Sequence, residues 1–533
     1  MRSVMSKDFS KAPNANIRRS SFDRSHGYKT TFDAGYLVPV FVDEALPGDS
    51  FNLNMTAFAR LSTLLKPYMD NMFLDSFFFF VPNRLLWSNW EKMNGAQDDP
   101  GDSIDFTVPQ NAAPATVGFA VGTLQDYFGL PTDIPDYAYN NLHDRAYNLI
   151  WNEWFRDENL QDSAVVDTDN GPDTVTDYVI LQRGKRFDYF TSCLPWPQKG
   201  DAVLLPLGDS APVLGLGAIT QTYNTGPYTV YETDGTASTS YADGKSLWDN
   251  AGINQVHLEE DPDNAGFPNV RADLSAAVGA SINEFREAIQ IQGLLERDAK
   301  GGTRYTEIIR SHFGVTSPDS RLQRPEYLGG GSTPINVHTV PQTSESATTD
   351  QGTLAGFGTA AGSGHAFTKS FTEHGVIIGL VSVRADLTYQ QGLNRMFSRQ
   401  TRYEYYWPAL AQLGEQAVLN KEIYCQDPAT GGADPENEQV FGYQERFAEY
   451  RYKPSQITGQ FRSTYSSSLD IWHLSQEFTA LPVLNSSFIV DDPPVDRVVA
   501  TPSEPHFLLD VYHQLKCARP MPVYSTPAVL ARF

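Results

Sequence analysis

Three cysteines in 533 residues, Cys193, Cys425 and Cys517, are too few and too scattered to build a disulfide framework, and no C-x-x-C pair occurs. That usage fits a reducing compartment. Positive charge is also scarce: 40 Lys and Arg stand against 64 Asp and Glu, a formal net charge of −24. The imbalance excludes charge-driven binding of the surface as a whole to DNA or anionic membrane, so any nucleic-acid contact has to be local. No apolar run is long enough to span a bilayer, and the polar start MRSVMSKDFSKAPNANIRRSS lacks the apolar segment of a secretory signal. Neither membrane insertion nor standard secretion is expected.

Compact catalytic signatures are missing as well. The ten histidines are dispersed, with no H-E-x-x-H. The stretch DGKS (243–246) resembles the end of a phosphate loop, but Thr239 stands where its first glycine belongs. Ser363, in AGSGHAF, has no G-x-S-x-G frame. Acidic residues are numerous enough to leave a glycosidase-type carboxylate pair open, although solvating a surface is their ordinary role. The expectation is a protein without catalytic residues, metal or cofactor.

Glycine (40) and proline (34) are abundant and spread along the chain, and aromatics make up 12%. Length alone suggests roughly three or four domains, yet one all-β domain with long insertions can fill it. Many short strands joined by long loops suit this composition better than a helical bundle, so the expected fold is mostly β. Alternation supports this. Phe32, Ala34, Tyr36, Val38, Val40 and Val42 share one parity; after the Pro47-Gly48-Asp49 turn, Phe51, Leu53 and Met55 alternate with Asn52, Asn54 and Thr56. In FLLDVYHQLKC (507–517), Phe507, Leu509 and Val511 alternate with Asp510, Tyr512 and Gln514. Strands thus open and close the chain.

Two strands do not alternate. SFFFFVP (76–82) places Phe77 and Phe79 on one face and Phe78 and Phe80 on the other, and VIIGLVSV (376–383) is likewise apolar on both. Each buried ring is worth about 1.5–3 kcal/mol, so both faces must be covered, one by a second sheet and the other by insertions or another subunit. The four phenylalanines are candidate core or subunit-contact residues.

Helices fall inside the insertions. Ser281-Ile282-Asn283-Glu284 reads as a capping box ahead of Phe285 and Ile289, giving a helix of some four turns. Segments 303–313, stopped by Gly314, and 136–155, with Leu142, Ala146, Leu149, Ile150 and Trp154, are further candidates. Residues 1–27 read as a mobile basic arm carrying Arg18, Arg19 and Arg24. Residues 206–270, rich in Gly, Ser, Thr and Asp, read as an exposed protruding loop, and the tract 342–364 as disordered or a long surface loop.

NRMFSRQTRYEYYWP (394–408) spaces Arg395, Arg399 and Arg402 at i, i+4 and i+7, with Phe397, Tyr403, Tyr405, Tyr406 and Trp407 among them. On a helix the guanidiniums would share a face. Arginines beside aromatic rings suit single-stranded nucleic acid, by phosphate pairing and base stacking. The same residues also fit a packed aromatic segment whose arginines pair with local acids such as Glu404.

Four stretches, FDRSHGYKTTFDAGYLVPVFVDEALPGDSF (22–51), PYMDNMFLDSFFFFVPNRLLWSNW (67–90), IIRSHFGVTSPDSRLQRPEYLGG (308–330) and RPMPVYSTP (519–527), resemble the major capsid protein of the Microviridae, in the gokushovirus group of single-stranded DNA bacteriophages. The resemblance covers nearly the whole chain outside 206–270 and parts of 342–364. It implies a single eight-stranded antiparallel jelly roll over 28–533, with long helix-bearing insertions. It further implies about 60 copies in a T=1 shell around circular single-stranded DNA, in a virion assembled in the bacterial cytoplasm. A small basic DNA-packaging protein, an internal scaffold and a DNA pilot protein are the implied partners. In that family the place of 206–270 holds a protrusion at the threefold axis. Its Tyr223, Tyr228, Tyr231 and Tyr241 are candidate contacts to a host surface receptor. Candidate DNA contacts are Arg395, Arg399, Arg402 and Tyr403, with Arg18, Arg19 and Arg24 second. The rival reading is a carbohydrate-binding or carbohydrate-active jelly-roll protein, which would be a monomer or small oligomer.

Overall fold

The computed structural model describes residues 18–201, 203, 213–214, 271–272, 282–302, 305–315, 323–426 and 435–524. The chain divides into two units, residues 198–300 and the remainder. In the larger unit the main strands are β1 (Ser20–Asp23), β2 (His26–Phe32), β3 (Val38–Ala45), β4 (Ser50–Leu61), β5 (Met72–Pro82), β6 (Glu326–Pro341), β7 (Leu354–Ser370), β8 (Gly375–Ala385) and β9 (Phe507–Arg519). They form one sheet in the order β1/β2, β9, β4, β7, β6, β5, β8, β3. β1 and β2 lie end to end along β9, so the sheet has eight rows, and every pairing in it is antiparallel. β6 passes from β5 to β7, and its register with β7 shifts between Gly330 and Asn336. A shift of that kind bends a sheet. The fold is mostly β, a curled antiparallel sheet with helices in the insertions, compatible with the expected capsid jelly roll.

Burial follows the alternation. Phe51, Leu53, Met55, Ala57 and Ala59 of β4 face one core together with Phe507, Leu509, Val511 and Leu515 of β9. The two-faced strands divide by parity. Phe78 and Phe80 of β5, with Ile377, Val381 and Val383 of β8, enter that core. Phe79 and Val81, with Val376, Ile378 and Leu380, enter a second core, against which Phe77 is partly buried. What covers the second face is an insertion of the same subunit: helix α1 (Leu142–Trp154), through Leu142, Ala146, Tyr147, Ile150 and Trp151, together with Trp87.

Glycines make room for the rings. A Cβ at Gly379 would lie 2.6 Å from the Phe78 ring, and one at Gly375 would lie 2.3 Å from the Phe80 ring. The inserted helix is pinned by a buried ion pair. Arg145 Nε and Nη2 donate to Asp173 at 2.7 and 2.5 Å, and Nη1 donates to the Leu86 carbonyl at 3.0 Å. Burial works against ionisation of Asp173, but bonds from Arg145 and Tyr178 hold its carboxyl below the ordinary value. Asp144, adjacent on the helix, has no such cation, and burial pushes it up to about 7.

Several expectations need correction. Residues 18–27 are not a mobile arm: Ser20–Asp23 pair with Lys516–Arg519, and His26–Phe32 pair with the rest of β9. Residues 1–17 lie outside the described residues. The single run from Phe32 to Val42 is two strands on different rows, because the chain turns at Gly35. Gly35 has φ +82°, and a Cβ there would lie 2.0 Å from the Asp491 carbonyl oxygen. The tract 342–364 is a loop only to 353; from Leu354 it is strand β7. Its small residues serve close packing, since a Cβ at Gly358 would meet Leu61 at 2.9 Å.

Helices α2 (Ile282–Lys300), in the smaller unit, and α3 (Tyr305–Phe313) lie where the spacing placed them. Ser281 and most of 206–270 lie outside the described residues. No helix among the described residues is long and apolar enough to cross a membrane.

Because Phe78 and Phe79 are both at most 1% exposed, in different cores, truncating either to Ala is expected to cost about 3–5 kcal/mol. Half-buried Phe77 should cost less. Chemical denaturation of the three variants checks this, and a Phe79→Ala midpoint equal to wild type would show that the second face is not a true core.

Candidate nucleic-acid interface

The segment after β8 contains the arginines spaced at i, i+4 and i+7, and it is not a helix. Two short 3-10 turns, Arg395–Phe397 and Arg402–Glu404, are separated by irregular chain. Local side chains compete for the backbone donors a helix would use. The Asn394 side chain accepts from Met396 N at 3.0 Å, and Glu404 accepts from Gln400 N at 2.6 Å. That backbone bond holds the Glu404 carboxyl below its ordinary value. Glu404 is therefore a backbone cap, and no ion pair joins it to the arginines among the described residues.

The three guanidiniums consequently do not share a face. Arg395 donates to Glu422 at 3.0 Å and to the Ala417 carbonyl at 2.7 Å. Glu422 also accepts from Tyr189 at 2.9 Å and from Leu419 N at 3.0 Å, and its burial pushes the carboxyl up. Arg399 pairs with Glu449 at 2.8 Å, and both side chains are 7% exposed. The Arg399 guanidinium also lies 4.4 Å from the Tyr450 ring centre and 5.4 Å from that of Tyr405.

Arg402 differs. It is exposed, makes no ion pair among the described residues, and lies 5.4 Å from the Tyr403 ring centre and 5.5 Å from that of Trp407. Trp407 Nε1 donates to the Arg402 carbonyl at 3.0 Å, fixing the indole beside it. Tyr403 and Trp407 are 60% and 47% exposed. One free cation flanked by two open rings matches the requirement for a phosphate and an adjoining base.

Beside Arg395 opens a shallow cleft with Tyr189, Tyr389, Tyr452 and Lys453 in its walls. Lys453 is exposed and makes no ion pair among the described residues. Sequence reasoning passed over it, although EYRYKP (449–454) carries the same mixture of basic and aromatic residues. Arg451 in that stretch is paired with Glu445.

The other candidates are dispersed. Arg18 is exposed, Arg19 donates to Ser50 at 2.7 Å, and Arg24 is paired with Asp43. Tyr223, Tyr228, Tyr231 and Tyr241 lie outside the described residues. No group of three or more His, Cys, Asp or Glu among the described residues is placed to hold a metal ion.

Known proteins resemble this chain along its length. A family model described as capsid protein (F protein) matches residues 10–529. Capsid protein VP1 of Bdellovibrio phage phiMH2K is 47% identical, over 98% of this chain and 98% of that protein. Capsid protein VP1 of Chlamydia phage 1 is 44% identical, over 99% and 98%. Capsid protein VP1 of Spiroplasma virus 4 is 37% identical, over 98% and 97%.

The geometry separates holding arginines from an available one. Arg399→Ala strands the buried Glu449 carboxylate and is expected to destabilise by about 3–5 kcal/mol. Arg402→Ala should stay within about 0.5 kcal/mol of wild type. Denaturation midpoints of the two variants check this, and equal losses would mean that Arg402 is also structural.

Proposed function

The chain belongs to the F-protein family of phage capsid proteins, in its gokushovirus branch, and from that premise we propose that about 60 copies close into a T=1 shell around single-stranded DNA. The likeness to VP1 over nearly the full length of both chains carries this reading. A subunit whose two-faced strands are covered by its own insertion is a self-sufficient block, suited to repetition by closed point-group symmetry. Its role is structural, without catalysis or cofactor, and its place is the virion, assembled in the bacterial cytoplasm. An internal scaffold and a DNA pilot protein assist.

Within that shell, direct DNA contact falls to Arg402, Tyr403, Trp407 and Lys453, while Arg395 and Arg399 hold the segment in place. Arg18 is a second, isolated contact. Because the chain is acidic overall, a small basic packaging protein neutralises most of the genome's charge. Residues 206–270 project at the threefold axis and meet the host receptor, a reading supported by their polar, glycine-rich composition.

Cryo-electron microscopy of purified particles tests the shell. Icosahedral particles of about 60 copies are expected, with DNA density against Arg402 and Lys453, and a monomer or small oligomer would sink the reading. An Arg402→Ala/Lys453→Ala variant should lower the salt dependence of oligonucleotide binding by about 1.4 in the log–log slope, two contacts at roughly 0.7 each. An unchanged slope would remove the patch from the DNA interface. Replacing 222–244 with a short linker should leave particles intact and abolish adsorption to the host, and normal adsorption would refute the receptor role.

A further inference from the structure

The curled sheet does not close through its backbone. β3 at one end and β1/β2 at the other share no ladder among the described residues. Side chains bridge the gap. Arg24 pairs with Asp43, Arg519 Nη2 donates to the Glu44 carbonyl at 2.7 Å, and His513 Nε2 lies 3.0 Å from the Val40 carbonyl oxygen. The His513 ring centre is 5.2 Å from that of Phe41 on β3 and 5.1 Å from that of His26 on β2.

His513 is wholly buried. A carbonyl oxygen only accepts, so Nε2 carries the proton of the neutral ring and Nδ1 is left bare. Nδ1 is buried and has no hydrogen-bond partner. Along the sheet the residue is flanked by His26 on β2 and Met55 on β4, and Phe41 and Val40 approach from β3. Of these only His26 is titratable. The charged side chains that join the two ends of the sheet are Asp43, Arg24 and Arg519, and the Asp43 carboxylate is already shared between the two arginines. No acceptor waits for a proton on Nδ1.

We propose that His513 is an acid-sensitive latch between β9 and β3: a proton on Nδ1 drives the ring out of its apolar pocket, releases the Val40 carbonyl and opens the seam. The proton comes from solvent, and no covalent bond of the chain changes. Burial, and then repulsion from His26, push the imidazole down to about 4, against the opposing effect of the Val40 bond. A histidine held below its ordinary value stabilises the closed seam as the neutral form. Its contribution is full above about pH 6.5 and is lost as the pH falls towards about 4.

Amide hydrogen exchange of the full chain at pH 7.5 and pH 5.0, corrected for intrinsic chemistry, tests the latch. Opening of residues 38–45 and 507–519 should rise on the order of thirty-fold at the lower pH, while β5 and β6, which pair with each other in the middle of the sheet, stay protected. His513→Gln keeps a donor for Val40 but does not titrate, and should abolish the rise. Should that variant not fold, the pH profile of the unaltered chain decides: the rise should begin below about pH 6.5 and level off near pH 4. Exchange that climbs equally in β5 and β6, a rise unchanged in His513→Gln, or a rise outside that pH window would overturn the proposal.

Discussion

A strand that is apolar on both faces has to be covered twice, and the architecture around β5 and β8 follows from that requirement. The inner face is met by the curl of the sheet, which brings β4 and β9 opposite Phe78 and Phe80. The outer face cannot be met by the same sheet. It is met by α1 and its flanking loops, which bring Tyr147, Ile150 and Trp151 over Phe79. Packing of this density tolerates no excess volume, which accounts for glycines at 375 and 379 in a strand where β-branched residues would otherwise be preferred.

The covering layer introduces a polar cost of its own. A helix lying on a sheet buries whatever its inward face carries, and here that includes Arg145 and Asp144. Arg145 is matched by Asp173, with further bonds to two backbone carbonyls. Asp144 is matched only by neutral donors, Tyr139 and Gln125, and its carboxyl rises accordingly. A buried pair of this kind does more to fix the position of the insertion than to add net stability, since desolvation cancels much of the attraction.

The same rule sorts the basic residues of the surface. Arg395 and Arg399 reach inward to carboxylates and become parts of the scaffold, whereas Arg402 and Lys453, which make no ion pair among the described residues, stay available. Availability is thus decided by partners 27 and 50 residues downstream in sequence, Glu422 and Glu449. At the sheet ends the arrangement is reversed: with no backbone ladder among the described residues to close the curl, side chains hold β9 to β3, and one of them is a buried histidine.

Period-two alternation was enough to locate β4 and β9, and unbroken apolar runs located β5 and β8; the faces of all four followed because side chains on a pleated strand point to opposite sides in turn whatever lies opposite. Helical spacing likewise located α1, α2 and α3. The sequence by itself also determined that both faces of FFFF are covered, since the transfer free energy of four rings leaves no alternative. Only the tertiary structure decided what covers them: the helix 142–154 of the same chain. Only it broke the run 32–42 at Gly35, where a long-range approach by the Asp491 carbonyl leaves no room for a side chain. And only it separated Arg402 from Arg395 and Arg399, because an ion pair depends on distances in space, which a spacing of three or four residues fixes only when the segment is a helix.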